Sequence, residues 1–345
     1  MNAAEKAEFA GSFYSRQITL KELGEKGQKT LAKSRVAVVG VGGLGTVSSL
    51  YLALAGVGYL RLIDQDIVET HNLHRQILYN SDDRHYPKVE IAAQRLKKLN
   101  PLIAVEAVSE NVNDTNVERL LRGVDCVVDG LDNVATRYLV NRACIKLKVP
   151  YVFGAAVGIE GNLSVFAPPE TGCLECLMPN LSDKDLQACS TRGVIGAAPG
   201  IIGSLQAMET IKLLTGIGKT LKGKLLVCDF NDMDFTTIDI SRSIRCPVCE
   251  GNASRVDGNV RLVWLCGKDT ANINPQKPLE MSLNDVCAKI DKLFKLRLKS
   301  QLALMFTYKG HEVSLFRGGR MLIKGVTEEK KALAIYEEII EKIRG

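Results

Sequence analysis

A glycine-rich turn near the N-terminus constrains the fold of this chain more than any other feature. Gly40, Gly42 and Gly45 form a G-x-G-x-x-G pattern directly after the β-branched apolar run Val36–Val39. The pattern predicts a strand, a tight turn and a helix over Thr46–Leu54, where backbone N–H groups and the helix dipole attract phosphate oxygens. Because such a unit opens parallel doubly wound sheets, we expect a Rossmann-like α/β fold that binds a nucleotide at this turn.

The alternation of strands and helices continues along the chain. Hydrophobic periodicity predicts strands at Tyr59–Ile63, Ile103–Val108 and Asp125–Val128, and helices at Lys88–Leu99, Asn116–Leu121 and Thr136–Leu147. The pattern then changes to strands Tyr151–Phe153, Asn162–Phe166 and Lys224–Asp229 around a helix Ile202–Leu214. The sheet is therefore expected to be mixed.

Charged residues beyond the turn indicate which nucleotide would bind. Asp64 ends the second strand, where a carboxylate accepts ribose hydroxyls, and Asp66 is its near competitor for that role. The glycine turn alone permits NAD as well as ATP. Arg75 and Lys88, which follow with Asn72, supply two cations that suit a triphosphate better than a hydride-transfer cofactor.

Asp132 and Asn133 follow the predicted strand Asp125–Val128, at the carboxyl end of the sheet where ligands of such folds bind. Asp132 is a candidate for holding Mg²⁺. With Arg75 and Lys88 it would permit a carboxylate to attack the α-phosphorus of ATP and release pyrophosphate. The alternatives are a solvated surface charge for either cation and a helix N-cap for Asp132.

Four of the ten cysteines form two C-x-x-C pairs, Cys173 with Cys176 and Cys246 with Cys249. The N-terminus has no apolar segment of the kind found in signal peptides, so we expect a cytoplasmic protein in which these pairs hold structural Zn²⁺ on four thiolates. Two unrelated reduced pairs, or an oxidised redox pair, are the alternatives.

Cys189 stands outside these pairs in the polar segment QACSTRGV. It is a candidate nucleophile that would take the activated acyl group as a thioester or enter sulfur transfer, with Arg192 lowering its pKa. A loop cysteine without a role is the alternative. Four other cysteines lie in apolar segments and are expected to be core residues: Cys126, Cys144, Cys228 and Cys287.

The chain is long enough for two domains, which we place at residues 1–255 and 256–345 with a polar linker around residues 253–259. Residues 256–345 carry 16 Lys and Arg against 11 Asp and Glu, most of the +6 formal charge. This excess is too dilute for a nucleic-acid site. A strand at Leu262–Cys266, a helix capped by Ser282, the strands Leu302–Tyr308, Glu312–Phe316 and Met321–Lys324, and a helix after Thr327 predict a small α+β domain.

Taken together, these motifs resemble the adenylating enzymes of ubiquitin-like carriers. The matching segments are Arg16-Gln17, GVGGLG, Leu62–Asp66, Asn72–Gln76, Pro87–Val89, Asp132-Asn133, the two cysteine pairs and GSLQAMETIK. That E1-like family includes the molybdopterin-synthase adenylyltransferases, the thiamine sulfur-carrier adenylyltransferases and the ubiquitin-activating enzymes. The resemblance extends over about residues 10–252.

The resemblance implies a function and a set of contacts. It implies that Gly43, Asp64, Asn72, Arg75, Lys88, Asp132 and Asn133 contact ATP or its Mg²⁺. The full set of expected nucleotide-binding residues also includes Gly40, Gly42, Gly45, Asp66 and Gln76. The resemblance also implies a homodimer and a carrier protein ending in Gly-Gly as substrate, and Arg16 would reach the nucleotide of its own or of the neighbouring protomer. A sulfurtransferase or a conjugating enzyme is a candidate second partner. Ser190, Thr191 and Arg192 interrupt the family's usual cysteine loop, which weakens the case for Cys189.

Other functions remain open at the level of sequence. The first is an NAD-dependent oxidoreductase, which the glycine turn permits but the cations and cysteine pairs do not require. The second is a non-catalytic nucleotide-binding docking module. A third is the adenylation of a small molecule or a tRNA base by a related enzyme. Carrier-dependent turnover of ATP distinguishes the proposed enzyme from all three.

Overall fold

The computed structural model describes residues 2–181, 193–252, 261–265, 269–275, 279 and 282–344. This part of the chain contains two β-sheets, each with its own hydrophobic core. One sheet belongs to an N-terminal unit, residues 2–252, and the other to a C-terminal unit, residues 261–344. The predicted boundary between residues 255 and 256 lies outside the described residues and stays a prediction.

The N-terminal sheet has eight strands. They are β1 Arg35–Val39, β2 Tyr59–Ile63, β3 Ala104–Val108, β4 Cys126–Asp129, β5 Tyr151–Val157, β6 Glu160–Phe166, β7 Lys224–Asp229 and β8 Asp234–Asp239. Their order is β3-β2-β1-β4-β5-β6-β7-β8. Neighbours from β3 to β5 are parallel, and those from β5 to β8 are antiparallel. The expectation of a parallel sheet that becomes mixed is confirmed.

Helices cover both faces of this sheet. They are Ala3–Phe13, Ser15–Ile18, Gly24–Lys33, Gly43–Ala55, Lys88–Leu99, Val117–Leu121, Val134–Leu147, Leu174–Leu177 and Ala197–Thr215, with 3-10 turns at Thr70–Asn72 and Ser81–Asp83. Val36 and Val38 of β1 belong to one core cluster, and Ala37 and Val39 belong to the other. Burial on both faces explains why this strand is apolar at successive positions. Within the described residues, no helix has the length and apolar character needed to cross a membrane.

The observed boundaries show where sequence patterns were informative. The predicted strand Tyr59–Ile63 and helix Lys88–Leu99 are confirmed to the residue. The helix after the glycine turn begins at Gly43 rather than Thr46. The prediction began too late because Gly43 and Gly45 have low helix propensity. Strand β8 was missed because all its residues are exposed at the sheet edge and show no apolar face.

The C-terminal unit contains an antiparallel six-stranded sheet. Its strands are β9 Leu262–Leu265, β10 Thr270–Ile273, β11 Lys295–Lys299, β12 Ala303–Tyr308, β13 His311–Phe316 and β14 Met321–Lys324, in the order β11-β12-β13-β14-β10-β9. Helices Leu283–Leu293 and Glu329–Arg344 pack on one face. The predicted α+β character is confirmed. Strands β10 and β11 were missed because they are short and lie among polar residues.

Candidate functional site

The glycine turn connects β1 to the helix Gly43–Ala55 and depends on the absence of side chains at two positions. Gly40 has a φ of +86°, and a Cβ there would lie 2.4 Å from the carbonyl oxygen of Gly130. A Cβ on Gly45 would lie 1.9 Å from the Gly40 oxygen. At Gly42, by contrast, a Cβ would lie 3.6 Å from its nearest neighbour, Nε2 of Gln76. Gly40 and Gly45 therefore form the turn, and Gly42 leaves room for a phosphate.

The carboxylate of Asp64, at the end of β2, is fixed by backbone hydrogen bonds. It accepts from Val41 N–H at 2.7 Å and, through its other oxygen, from Asp66 N–H at 2.7 Å. Burial raises the pKa of Asp64, a shift that Lys88 opposes and Asp66 reinforces. The side chain thereby joins the glycine turn to the loop after β2 and stands where a ribose would bind.

Lys88 begins the helix Lys88–Leu99 and points into the same region. Its ammonium lies 3.0 Å from a carboxylate oxygen of Asp66, and only 7% of its side chain is exposed. Burial by itself would lower the pKa of Lys88, but the carboxylates of Asp66 and Asp64 outweigh it, so the pKa is raised. The ammonium is therefore a fixed positive charge.

Asn72, Arg75 and Gln76 lie on the loop that follows β2. Asn72 is buried and accepts from Glu69 N–H at 3.3 Å, while Arg75 donates to the His71 carbonyl at 2.9 Å. Gln76 is buried beside Gly42, and among the described residues its Oε1 has no hydrogen-bond partner. An unpaired buried acceptor of this kind indicates that a donor from a ligand or water belongs there.

Asp132 and Asn133 precede the helix Val134–Leu147. The interpretation of Asp132 as a helix N-cap is wrong, because Asn133 caps the helix by accepting from Thr136 N–H at 2.9 Å. Asp132 is left exposed at the carboxyl end of β4. Its charge contributes to the raised pKa of Lys88, so the two groups face a common space.

Arg137 is a site residue that sequence reasoning missed. It forms an ion pair with Asp129 at 3.0 Å and donates to the carbonyls of Leu131 and Gly154. Asp129 also accepts from the Tyr151 hydroxyl at 2.6 Å. Its position could have been predicted from its spacing, because Arg137 lies one helical turn after Asn133 and faces the buried strand β4. Arg137 fixes the loop that carries Asp132.

One cavity of about 1060 Å³ collects these residues, a volume at the upper end for ligand sites. The predicted residues that line it are Gly40, Gly42, Gly43, Asp64, Asp66, Asn72, Arg75, Gln76, Lys88, Asp132 and Asn133. Arg16 is exposed on the helix Ser15–Ile18 and is not among the residues that line the cavity of its own chain. Cys189 and Arg192 lie outside the described residues. The roles of Arg16 and Cys189 stay predictions.

The two C-x-x-C pairs converge on one point. The Sγ atom of Cys173 lies 3.9 Å from that of Cys176 and 3.8 Å from that of Cys246, and Cys176 lies 3.6 Å from Cys249. All four Sγ atoms lie within 4.8 Å of one another. A tetrahedron with metal–sulfur bonds of about 2.3 Å has edges of ~3.8 Å, whereas a disulfide would bring two sulfurs to about 2 Å. The cluster has the geometry to bind a metal ion.

This cysteine cluster is connected to the helix that begins beside Asp132. Glu175, between the first two cysteines, accepts from Arg142 at 2.9 and 2.6 Å and from Asn141 at 3.1 Å. Asn141 in turn accepts from Leu174 N–H at 3.1 Å. The cluster therefore anchors the helix Val134–Leu147, and Leu174, next to Cys173, lines the cavity.

Comparison with known families and proteins identifies relatives of the N-terminal unit. The model of the ThiF family matches residues 14–267. The sulfur carrier protein adenylyltransferase of Thermus thermophilus is 43% identical over 242 residues, which cover 68% of this chain and 89% of that protein. The SAMP-activating enzyme E1 of Haloferax volcanii is 42% identical over 246 residues, covering 71% of this chain and 91% of that protein.

Solved structures show the same similarity. The crystal structure of E. coli MccB with ATP aligns with a TM-score of 0.58 and 26% identity, over 65% of this chain and 68% of that chain. The family match ends at residue 267, so β10 to β14 and the last two helices lie beyond it.

Proposed function

The chain belongs to the ThiF family, and from this premise we propose that it adenylates the C-terminal Gly-Gly carboxylate of a small ubiquitin-like or sulfur-carrier protein. ATP is the second substrate and pyrophosphate the leaving group. Relatives at 42–43% identity are named as adenylyltransferases or as an activating enzyme of such carriers. An NAD-dependent oxidoreductase is not favoured, because none of these relatives is named as one.

A single observation carries this proposal. One cavity holds an open glycine turn, a ribose-type carboxylate, a buried ammonium and an exposed carboxylate, contributed by Gly42, Asp64, Lys88 and Asp132. The first two are what any nucleotide site of this fold needs. Lys88 supplies a positive charge that would oppose the charge of a triphosphate, and Asp132 supplies a carboxylate that would hold its Mg²⁺.

In the proposed reaction, a carboxylate oxygen of the carrier attacks the α-phosphorus, and the bond from that phosphorus to the pyrophosphate oxygen breaks. Lys88 and Arg75 oppose the negative charge that develops on the phosphoryl oxygens and the leaving group. Asp132 would hold Mg²⁺, which when bound neutralises further phosphate charge. No proton has to be moved, since the attacking carboxylate is already ionised at neutral pH.

The cysteine cluster is proposed to hold a structural Zn²⁺ through Cys173, Cys176, Cys246 and Cys249. Its sulfur spacings and the four-thiolate donor set support zinc, and four protein ligands leave no open position for water. The ion would stabilise the N-terminal unit by joining segments that are far apart in sequence.

Two further parts of the proposal concern Arg16 and Cys189. Arg16 would reach the nucleotide of a second protomer in a homodimer, which is consistent with its exposed position. Cys189 would be the acceptor if the acyl group is transferred to a thiol, with a sulfurtransferase or a conjugating enzyme as the next partner.

The experiment that tests the proposal is exchange of labelled pyrophosphate into ATP in the presence of small carrier proteins that end in Gly-Gly. The matched control is the same carrier without its last glycine. Exchange with the complete carrier and none with the trimmed one is expected. If folded, zinc-loaded protein catalyses no exchange with any such carrier, adenylation of a carrier carboxylate is ruled out as its activity.

A further inference from the structure

The two faces of the C-terminal sheet are used differently. Leu304, Phe306 and Ile323 point to the face that packs against helices Leu283–Leu293 and Glu329–Arg344. Strand alternation places the neighbouring residues on the other face. No helix of the C-terminal unit's described part covers that second face. It instead packs against the N-terminal unit, where Phe316 and Leu322 meet Ile67.

Polar contacts fix this second face, which we call the inner face, onto the segments that follow β2 and β3. Asn272 donates to Gln65 at 2.8 Å, and Lys324 forms an ion pair with Glu69 at 3.2 Å. Gln65 stands between the two carboxylates Asp64 and Asp66. The C-terminal unit therefore holds the loop that carries the ribose-type carboxylate.

Residues of the inner face also line the nucleotide cavity described above. They include Leu265, Thr270, Met305, Ser314, Leu322 and Lys324. The same cavity is lined by Glu110, Asn111 and Val112, which follow β3. The cavity thus has one wall that lies outside the matched ThiF domain, apart from Leu265.

The position of this wall shows which part of a nucleotide it would meet. In doubly wound folds the phosphates lie at the glycine turn after β1 and the ribose at the carboxylate that ends β2. The base then extends away from the glycine turn, toward the ends of β2 and β3. That is the side on which the inner face lies. Met305 and Leu322, each 3% exposed, are apolar residues of this wall, and Thr270 and Ser314 are its hydroxyl-bearing residues.

Arg320 strengthens this assignment because it is a buried cation at the same boundary. It donates to Ser109 Oγ and to Asn272 Oδ1, each at 3.2 Å, and no carboxylate of the described residues lies within ion-pair distance. Its Nε has no hydrogen-bond partner among those residues. Burial lowers the pKa of Arg320 to about 10, while Asp66 and Asp64 favour its charge. The guanidinium also stacks on the Phe316 ring, 3.6 Å from its centroid. A buried cation without a carboxylate partner is costly for folding alone, which favours a role in holding the loops of the ligand site.

We propose that the C-terminal unit is part of the nucleotide-binding site and that its inner face holds the adenosine end of ATP. This deepens the proposed function and rests on it for the identity of the nucleotide. Arg320 and Asn272 are positioning residues in this proposal, since they act through Gln65 and Ser109 rather than on the nucleotide.

The test is direct binding to the full chain by calorimetry, with ATP and inorganic tripolyphosphate as separate probes and no carrier present. Met305→Ala removes a side chain that lines the cavity, and we expect the Kd for ATP to rise about 10-fold. The Kd for tripolyphosphate should stay within about twofold. Leu304→Ala is the matched control on the same strand, because it points to the helices; it should lower the Tm and leave the Kd for ATP unchanged.

A second variant guards against misfolding of the first. Thr270→Trp adds a ring at the half-buried start of β10 and should exclude ATP while tripolyphosphate still binds. The proposal is overturned if either cavity variant changes the Kd for ATP and the Kd for tripolyphosphate by the same factor, or changes neither Kd. Failure of the proposed function would look different, since wild-type protein would then catalyse no exchange while its ATP binding still responded to these substitutions.

Discussion

The cavity has two sides that are built in different ways. On the N-terminal side, loops at the carboxyl ends of parallel strands present Gly42, Asp64 and Asp132. On the C-terminal side, the flat face of an antiparallel sheet presents Met305 and Ser314. Loops at strand ends can place charges from several strands around one point, whereas a sheet face offers a broad surface. In our proposal the first side carries out the chemistry and the second recognises the nucleoside.

Removing a charge from the chemical side should have the largest effect. For Asp132→Ala we expect carrier-dependent pyrophosphate exchange to fall by at least about 100-fold, because the carboxylate that we propose holds Mg²⁺ is lost. The Tm should not change, since Asn133 and not Asp132 caps the following helix. Exchange assays and thermal melts measure the two effects. Asp291→Ala, on an exposed position of the C-terminal unit, is the control. Near-normal exchange in Asp132→Ala would remove this residue from the mechanism.

The next largest effect should come from the cysteine cluster, which supports the chemical side through the helix Val134–Leu147. For Cys173→Ser we expect zinc to be lost and the Tm to fall by about 5–10 °C, because metal binding contributes to folding. Exchange should fall as well, since Glu175 anchors the helix that begins beside Asp132. Elemental analysis and calorimetry check this. Cys228→Ser is the matched control, a buried thiol outside the cluster. A full zinc content in Cys173→Ser would contradict the four-thiolate site.

The recognition side should respond in substrate affinity rather than in turnover. For Arg320→Met we expect the KM for ATP to rise about 10-fold with kcat within about twofold, because the loop around Gln65 loses its support. The Tm should change little, since a neutral side chain of similar volume avoids the cost of burying a poorly paired charge. Steady-state kinetics in ATP separate the two constants.

Two companion variants sharpen this prediction. Arg320→Lys keeps the charge but not the planar fork, and should recover only part of the affinity. Arg317→Met changes an exposed arginine close by and should have no effect. A fall in kcat at constant KM would mean that Arg320 affects the chemical step. It would contradict the assignment of the C-terminal side to nucleoside recognition.

The two sides also differed in how far they could be predicted. Asp64, Lys88 and Asp132 were found from sequence because fixed spacing after buried strands brings their side chains to one edge of a parallel sheet. The four cysteines were found because C-x-x-C pairs impose a local geometry. The elements of the N-terminal sheet were predicted for the same reason, namely that buried strands and amphipathic helices leave a periodic signal.

The inner face could not be predicted, and the reason is physical. Thr270, Ser314 and Lys324 alternate with apolar residues, which is the pattern of a strand with one solvent-exposed face. Sequence periodicity distinguishes apolar from polar faces but does not show whether a polar face meets water or another unit. Asn272 and Arg320 are buried and donate hydrogen bonds to Gln65 and Ser109 of the N-terminal unit.

The smallest effect is expected at Cys189. Formation of the acyl-adenylate uses a carboxylate as nucleophile, so a thiol contributes nothing to that step. For Cys189→Ser we therefore expect carrier-dependent exchange within about twofold of wild type. A carrier–enzyme adduct that hydroxylamine cleaves should be lost if the acyl group passes to this thiol, and gel analysis without reductant detects it. A decrease in exchange as large as that of Asp132→Ala would instead indicate that Cys189 acts in adenylation itself. The loops after β1, β2 and β4 would then not contain all the residues that the reaction needs.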